Sequence, residues 1–190
     1  MTATVSLFRF IAANHKRVLI GMIWSFVLGL AILVPTVSAD SPVREELWTD
    51  TLRFVRDHYP NVQHISTDDL AQLLADQPGI TILDTREPQE FEVSHIQGAV
   101  LAPNATDAIE LLENQKPDDL VVVYCSVGYR SSHIAAILNR RGYSNVFNLE
   151  GSLFKWANES RPIYRGEDKA SKVHPFDDDW GRLLKPEFLP

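Results

Sequence analysis

At 190 residues, with 45% hydrophobic and 23% charged side chains, the chain has room for one globular domain plus extensions. A net charge of −7 argues against a nucleic-acid binder, which needs a basic face. A single cysteine excludes an internal disulfide and any CxxC redox or zinc motif, and the six histidines show neither HxxxH nor HExxH spacing, so no metal site is expected.

Residues 1–39 carry Arg9, Lys16 and Arg17 and no acidic residue, then the apolar run Val18–Val34 and Pro35-Thr36-Val37-Ser38-Ala39. A basic start, an apolar middle and a small-residue ending fit a signal peptide cleaved before Asp40. The competing reading is a membrane anchor, since the run is at the short edge of what spans a bilayer. Either way the positive charges stay inside and residues 40–190 are exported, to a periplasmic location, with membrane contact only if the segment is retained.

Residues 40–61 read as an N-terminal helical extension. Ser41-Pro42 is a helix start, and Trp48, Leu52, Val55 and Tyr59 share one face. Residues 62–160 alternate helices and strands. Ser66-Thr67-Asp68-Asp69 caps a helix bearing Leu70, Leu73 and Leu74, and Ile80–Asp84 is a buried strand ending in a carboxylate. A short helix over Pro88–Val93, a strand over Gly98–Leu101 and a helix over Asn104–Gln115 follow. Next come a strand over Leu120–Tyr124, a helix to Arg141 with Gly142 as its cap, a strand over Val146–Leu149 and a helix over Gly151–Asn158. This alternation predicts an α/β fold, a parallel sheet of about five strands flanked by helices. Residues 161–190 hold four of the eleven prolines together with Phe176, Trp180 and Phe188, a composition that predicts a tail packed on the domain. Asp177-Asp178-Asp179 lacks the ligand spacing of a calcium loop and reads as a solvated acidic turn.

Cys125 stands where the apolar strand gives way to a helix, in the segment Cys125-Ser126-Val127-Gly128-Tyr129-Arg130. Backbone amides and the positive end of a helix dipole converge at such a turn, lowering a thiol's pKa and readying it as a nucleophile. Successive amides of Ser126, Val127, Gly128 and Tyr129 are placed to curl around the sulfur, and Gly128 supplies the positive φ that the curl needs. Asp84 ends another strand, so both residues fall beyond the carboxyl edge of the sheet, where active sites of such folds lie.

Three segments together resemble the rhodanese family of sulfurtransferases: Asp84-Thr85-Arg86-Glu87, like its D-x-R-E segment; His95-Ile96-Gln97-Gly98-Ala99, like its H-I-x-G-A segment; and the Cys125–Arg130 loop. The resemblance covers roughly residues 62–160 and implies a single rhodanese-like domain. It implies that the Cys125 thiolate takes a sulfane sulfur from a small anionic, thiosulfate-like donor as a persulfide. A thiol or cyanide acceptor then removes the sulfur, and no metal or organic cofactor takes part. Arg130 either faces the donor or steadies the loop. Asp84 and Arg86 tie neighbouring loops, His95 fixes a turn, Ser126 offers a hydroxyl to the bound sulfur, and Tyr129 lines the mouth. Two-domain thiosulfate enzymes of the family carry a second arginine where this chain has Glu90, and often a basic residue where it has Ser126. This loss of positive charge predicts slow turnover on thiosulfate.

Two alternatives stand beside this reading. One is a cysteine-dependent phosphatase or arsenate reductase, whose C-x5-R loop places arginine one position later than Arg130. The other is a non-catalytic rhodanese-like binding module, although inactive relatives typically lack the cysteine.

Overall fold

The computed structural model describes residues 41–77 and 79–190. The expected leader or anchor, residues 1–39, lies outside them; among the described residues no helix is long and apolar enough to cross a membrane.

Helix α1 (Pro42–His58) starts where Ser41 caps it, the serine oxygen accepting from the Arg44 amide at 3.3 Å. Val55, on its apolar stripe, is buried, and the Trp48 indole donates to the Leu183 carbonyl at 3.2 Å. The chain then alternates: β1 (Gln63–Ile65), α2 (Thr67–Asp76), β2 (Thr81–Asp84), α3 (Pro88–Val93), β3 (Val100–Leu101), α4 (Ala105–Leu111), β4 (Val121–Tyr124), α5 (Tyr129–Arg140), β5 (Val146–Leu149) and α6 (Ser152–Asn158). The five strands form one parallel sheet in the order β1-β5-β4-β2-β3, so β4 is its centre.

Both faces of β4 are covered, as a continuous Val-Val-Val-Tyr run requires. Val121 and Val123 pack with Ala108 and Leu112 on the α4 side and with Ile134, Ala135 and Leu138 of α5. Val122 and Tyr124 point the other way, onto Leu70 of α2 and onto Leu153, Phe154 and Trp156 of α6. Each large side chain buried this way contributes about 1.5–3 kcal/mol, and truncating one at the centre leaves a cavity as well.

The structure differs from the expected elements in three places. Strand β1 is new; at three residues it is too short for an alternating pattern to show. Helix α4 stops at Leu111 rather than Gln115, because the Leu112 amide bonds Ile109 three residues back and turns that side chain into the core. The tail opens with a hairpin, β6 (Ile163–Arg165) and β7 (Asp168–Ala170), turning on Gly166 at φ 59°. Beyond it, Val173, Leu183 and Leu184 are buried in the α6-side core. Between them Asp177 caps the short helix α7 (Asp178–Gly181), its carboxylate accepting from the Trp180 amide at 2.9 Å.

Candidate active site

Cys125 follows directly on the central strand, and its backbone is fixed from both sides. The Thr85 amide and hydroxyl donate to the Tyr124 carbonyl at 2.8 and 3.1 Å. The Cys125 amide donates to the Ser152 hydroxyl at 3.1 Å, while the Leu153 and Phe154 amides opening α6 donate to the Cys125 and Ser126 carbonyls at 3.1 and 3.0 Å. Gly128, at φ 108°, ends the loop and caps α5, so Tyr129 and Arg130 already belong to the helix and the turn is tighter than a six-residue loop. A Cβ on Gly128 would sit 3.2 Å from the Asn148 amide nitrogen in a conformation that side-chain-bearing residues rarely adopt, so this position requires glycine.

The turn delivers amides to the sulfur. The Gly128 amide donates to the Cys125 Sγ at 3.2 Å. Burial pushes the thiol up, yet the Arg130 charge, the Ser131 hydroxyl and the amides of Ser131 and Gly128 outweigh it, and its pKa falls below the ordinary thiol value. The Ser131 hydroxyl also reaches Asn148 Oδ1 at 2.6 Å, and the Asn148 amide meets His64 Nδ1 at 3.2 Å. Thus β5 props the first turn of α5.

Arg130 does not stand free at the mouth. Its two terminal nitrogens bond the two Glu90 carboxylate oxygens at 2.7 and 2.8 Å, and one of them also donates to the Ser126 hydroxyl at 2.9 Å. That hydroxyl donates to Glu90 at 2.9 Å. Burial pushes the Glu90 carboxyl up, but hydrogen bonds from Arg130, the Glu87 amide and Ser126 bring it below the usual carboxylate range. Burial likewise works against the Arg130 charge, and Glu90 and the cysteine more than restore it. The residue that the sequence marks as a departure is therefore the partner of the residue expected to meet the donor.

Asp84 and Arg86 form a second, wholly buried pair. The Asp84 carboxylate accepts from the Arg86 amide at 3.0 Å, from Nε at 2.9 Å and from Nη2 at 2.6 Å. Nη2 also donates to the Ser94 carbonyl at 2.6 Å, and the Ile96 amide donates to the Tyr124 hydroxyl at 3.1 Å. This network stitches the D-x-R segment to the H-I-x-G-A segment and to β4. His95 lies apart from the thiol: its ring stacks on Phe91 at 4.0 Å, its Nδ1 meets the Phe91 carbonyl at 3.1 Å, and its backbone pairs with Tyr164 of the hairpin. Tyr129 turns its ring toward α1, stacked on Phe54 at 5.4 Å and edge-on to Tyr59 at 5.3 Å.

The tail supplies what the sequence does not reveal. A cavity of about 170 Å³ lies over Cys125, walled by Ser126, Val127, Tyr129 and Arg130 and roofed by Phe176 and Trp180. The Phe176 ring sits 4.9 Å from the Arg130 guanidinium carbon. Two larger hollows near α5, of about 540 Å³ each, do not reach the cysteine. Phe176 was visible in the sequence only as one of several tail aromatics.

The rhodanese-like domain family matches residues 66–159. A sulfurtransferase of Allochromatium vinosum is 36% identical over 106 residues, covering 56% of this chain and 98% of that protein. A tRNA uridine(34) hydroxylase of Sodalis glossinidius is 28% identical over 135 residues, 68% of this chain; the chain spans only 38% of that protein's length. The thiosulfate sulfurtransferase of Pseudomonas aeruginosa shares the fold, at a TM-score of 0.54 and 19% identity, over 72% of this chain and 26% of that one.

Proposed function

Because this chain belongs to the rhodanese-like family, we propose that it is a sulfurtransferase carrying sulfur as a persulfide on Cys125. The observation that supports this best is the thiol itself, held against the Gly128 amide at the start of α5 with Arg130 lowering its pKa. The thiolate attacks the outer sulfur of a small anionic donor; the donor's sulfur–sulfur bond breaks and its remainder leaves with the bonding pair. The resulting Cys–S–S⁻ keeps the same amide donors, which stabilise both anions. An attacking thiol or cyanide takes the terminal sulfur and regenerates the thiolate. Neither half needs a metal or organic cofactor. The Gly128 and Ser131 amides hold the sulfur, Ser126, Val127 and Tyr129 line the space over it, Arg130 tunes its charge, and Asp84, Arg86 and His95 hold the surrounding loops.

The basic, apolar and small-residue order of residues 1–39 supports an exported, periplasmic domain. An activity on tRNA, the kind named in the longer relatives, is disfavoured by the net charge of −7.

Incubating the purified protein with a sulfane-sulfur donor and weighing it by mass spectrometry tests the reading. Cys125 should gain one sulfur atom and lose it on adding cyanide or a thiol, and Cys125→Ser should abolish the gain, an alcohol being a far weaker nucleophile at neutral pH. Phosphate-ester hydrolysis with no sulfur adduct would move the assignment to a phosphatase, and no reaction at all to a binding module.

A further inference from the structure

Three features of the thiol's mouth point away from a doubly charged donor. Its cation is already matched: Glu90 occupies both terminal nitrogens of Arg130. With the cysteine as thiolate, one positive charge faces two negative ones around the sulfur. The segment that carries the roof is itself acidic, with the exposed Asp177, Asp178 and Asp179 between Phe176 and Trp180, and it brings no cation to the cavity. On the other side of Phe176, His174 Nδ1 accepts from the Phe176 amide at 3.0 Å.

The second feature is the lining, which is apolar on top: Phe176 and Trp180 close a space of about 170 Å³ with Val127 and Tyr129. The third is the backbone of Phe176. It sits at φ 68°, and the Asp177 amide bonds the Pro175 carbonyl across it at 2.9 Å, a tight three-residue turn of the strained kind. A bulky residue is held there although it stays 47% exposed, so burial does not explain the strain. What the turn achieves is to set the ring over Arg130 and beside the sulfur.

We propose, building on the sulfurtransferase reading, that Glu90, Phe176 and Trp180 select a singly charged donor whose sulfane sulfur sits on a sulfonyl group carrying an apolar substituent, such as an aryl thiosulfonate, over the thiosulfate dianion. The Cys125 thiolate attacks the outer sulfur of R–SO₂–S⁻, the bond from that sulfur to the sulfonyl sulfur breaks, and the sulfinate R–SO₂⁻ leaves with the electron pair. Two anions enter and two anions result, with no oxidant or reductant. The R group lies against Phe176 and Trp180, and no uncompensated cation is needed for a second negative charge.

The test uses the full chain with excess donor and no acceptor, so that only the first half-reaction is read. Persulfide formation is timed with thiosulfate, methanethiosulfonate and benzenethiosulfonate, each rate divided by that donor's rate with a simple thiol in solution. The methyl donor should exceed thiosulfate, and the phenyl donor should exceed the methyl one by about three- to tenfold, the range of an aromatic contact. Phe176→Ala should erase the phenyl-over-methyl ratio, with Phe176→Leu intermediate and Trp180→Ala in the same direction. Glu90→Gln should raise thiosulfate relative to the methyl donor and leave the phenyl-over-methyl ratio unchanged. Thiosulfate matching or beating the thiosulfonates in the parent protein, or a phenyl preference untouched by both aromatic variants, overturns the donor proposal while the sulfurtransferase reading stands. No adduct from any donor, with Cys125 still open to alkylation, overturns both.

Discussion

Two carboxylate–guanidinium pairs lie near the carboxyl edge of the same sheet, and they do different work. Asp84 and Arg86 sit two residues apart, both side chains at 0% exposure. Glu90 and Arg130 come from α3 and α5, the glutamate at 1% and the arginine at 30% exposure. In the first pair desolvation is complete, and its cost is offset by the mutual attraction and by added hydrogen bonds, the Arg86 amide donating to Asp84 and Nη2 to the Ser94 carbonyl, while Arg86 Nη1 is buried without a partner. In the second the arginine keeps an open side and lies within the field of a thiolate. The same chemistry is a fastener when sealed and a charge regulator when half open.

Breaking the sealed pair should have the largest effect. Asp84→Ala leaves a buried guanidinium without its anion and should cost about 3–5 kcal/mol of folding stability, read as a lowered denaturant midpoint. The double variant Asp84→Leu/Arg86→Met should cost much less than the single one, because no lone charge remains. A single variant no less stable than the parent would remove the distinction between the pairs.

Arg130→Met should come next, at about 2 kcal/mol, since Glu90 is left buried with Ser126 and the Glu87 amide as its donors. Its diagnostic effect is on the thiol. Arg130 is the first of the influences that lower the Cys125 pKa against burial, so the pH profile of alkylation should move to higher pH. Arg130→Lys keeps the charge without the two-pronged geometry and should fall between. An unmoved profile would make Arg130 a loop prop alone.

Glu90→Gln should be the mildest, about 1 kcal/mol, given the open side of Arg130. The glutamate's folded pKa lies below its ordinary 4.5, so its contribution is fully present above that value and disappears as pH falls through the lower folded value. The stability gap between parent and variant should therefore shrink on acidification. A gap constant across that range would mean that the charge of Glu90 adds nothing to the pair.

Much of this molecule is readable in the chain. The strand-to-helix switch at Cys125, the short α3 over Pro88–Val93 and the strand ending at Asp84 follow local rules that a sequence states directly, whereas the segments around Asp84 and His95 are legible as a site only through the family resemblance. Glu90 was visible as a missing positive charge, but not as the partner of Arg130, because the two meet only when α3 and α5 fold onto the same edge. Phe176 lies farther from Arg130 along the chain, and nothing in Pro175-Phe176-Asp177 signals a turn with a positive φ. The hairpin at Gly166 did carry a signal, glycine between the short segments Ile163-Tyr164-Arg165 and Asp168-Lys169-Ala170, and the proline-rich composition of the tail masked it.

The cysteine and its roof also differ in how firmly they are mounted. Cys125 directly follows the central strand, with hydrogen-bonded neighbours on either side, a position expected to open only when the whole domain unfolds. Residues 174–182 are largely exposed and are held at their ends by buried Val173 and by Leu183 and Leu184. Lifting that span off the sulfur breaks no hydrogen bond of the five-stranded sheet. Hydrogen exchange should therefore run fast at Phe176 and slowly at Cys125, so that admission of a substrate and exposure of the persulfide are governed by a local equilibrium far cheaper than unfolding.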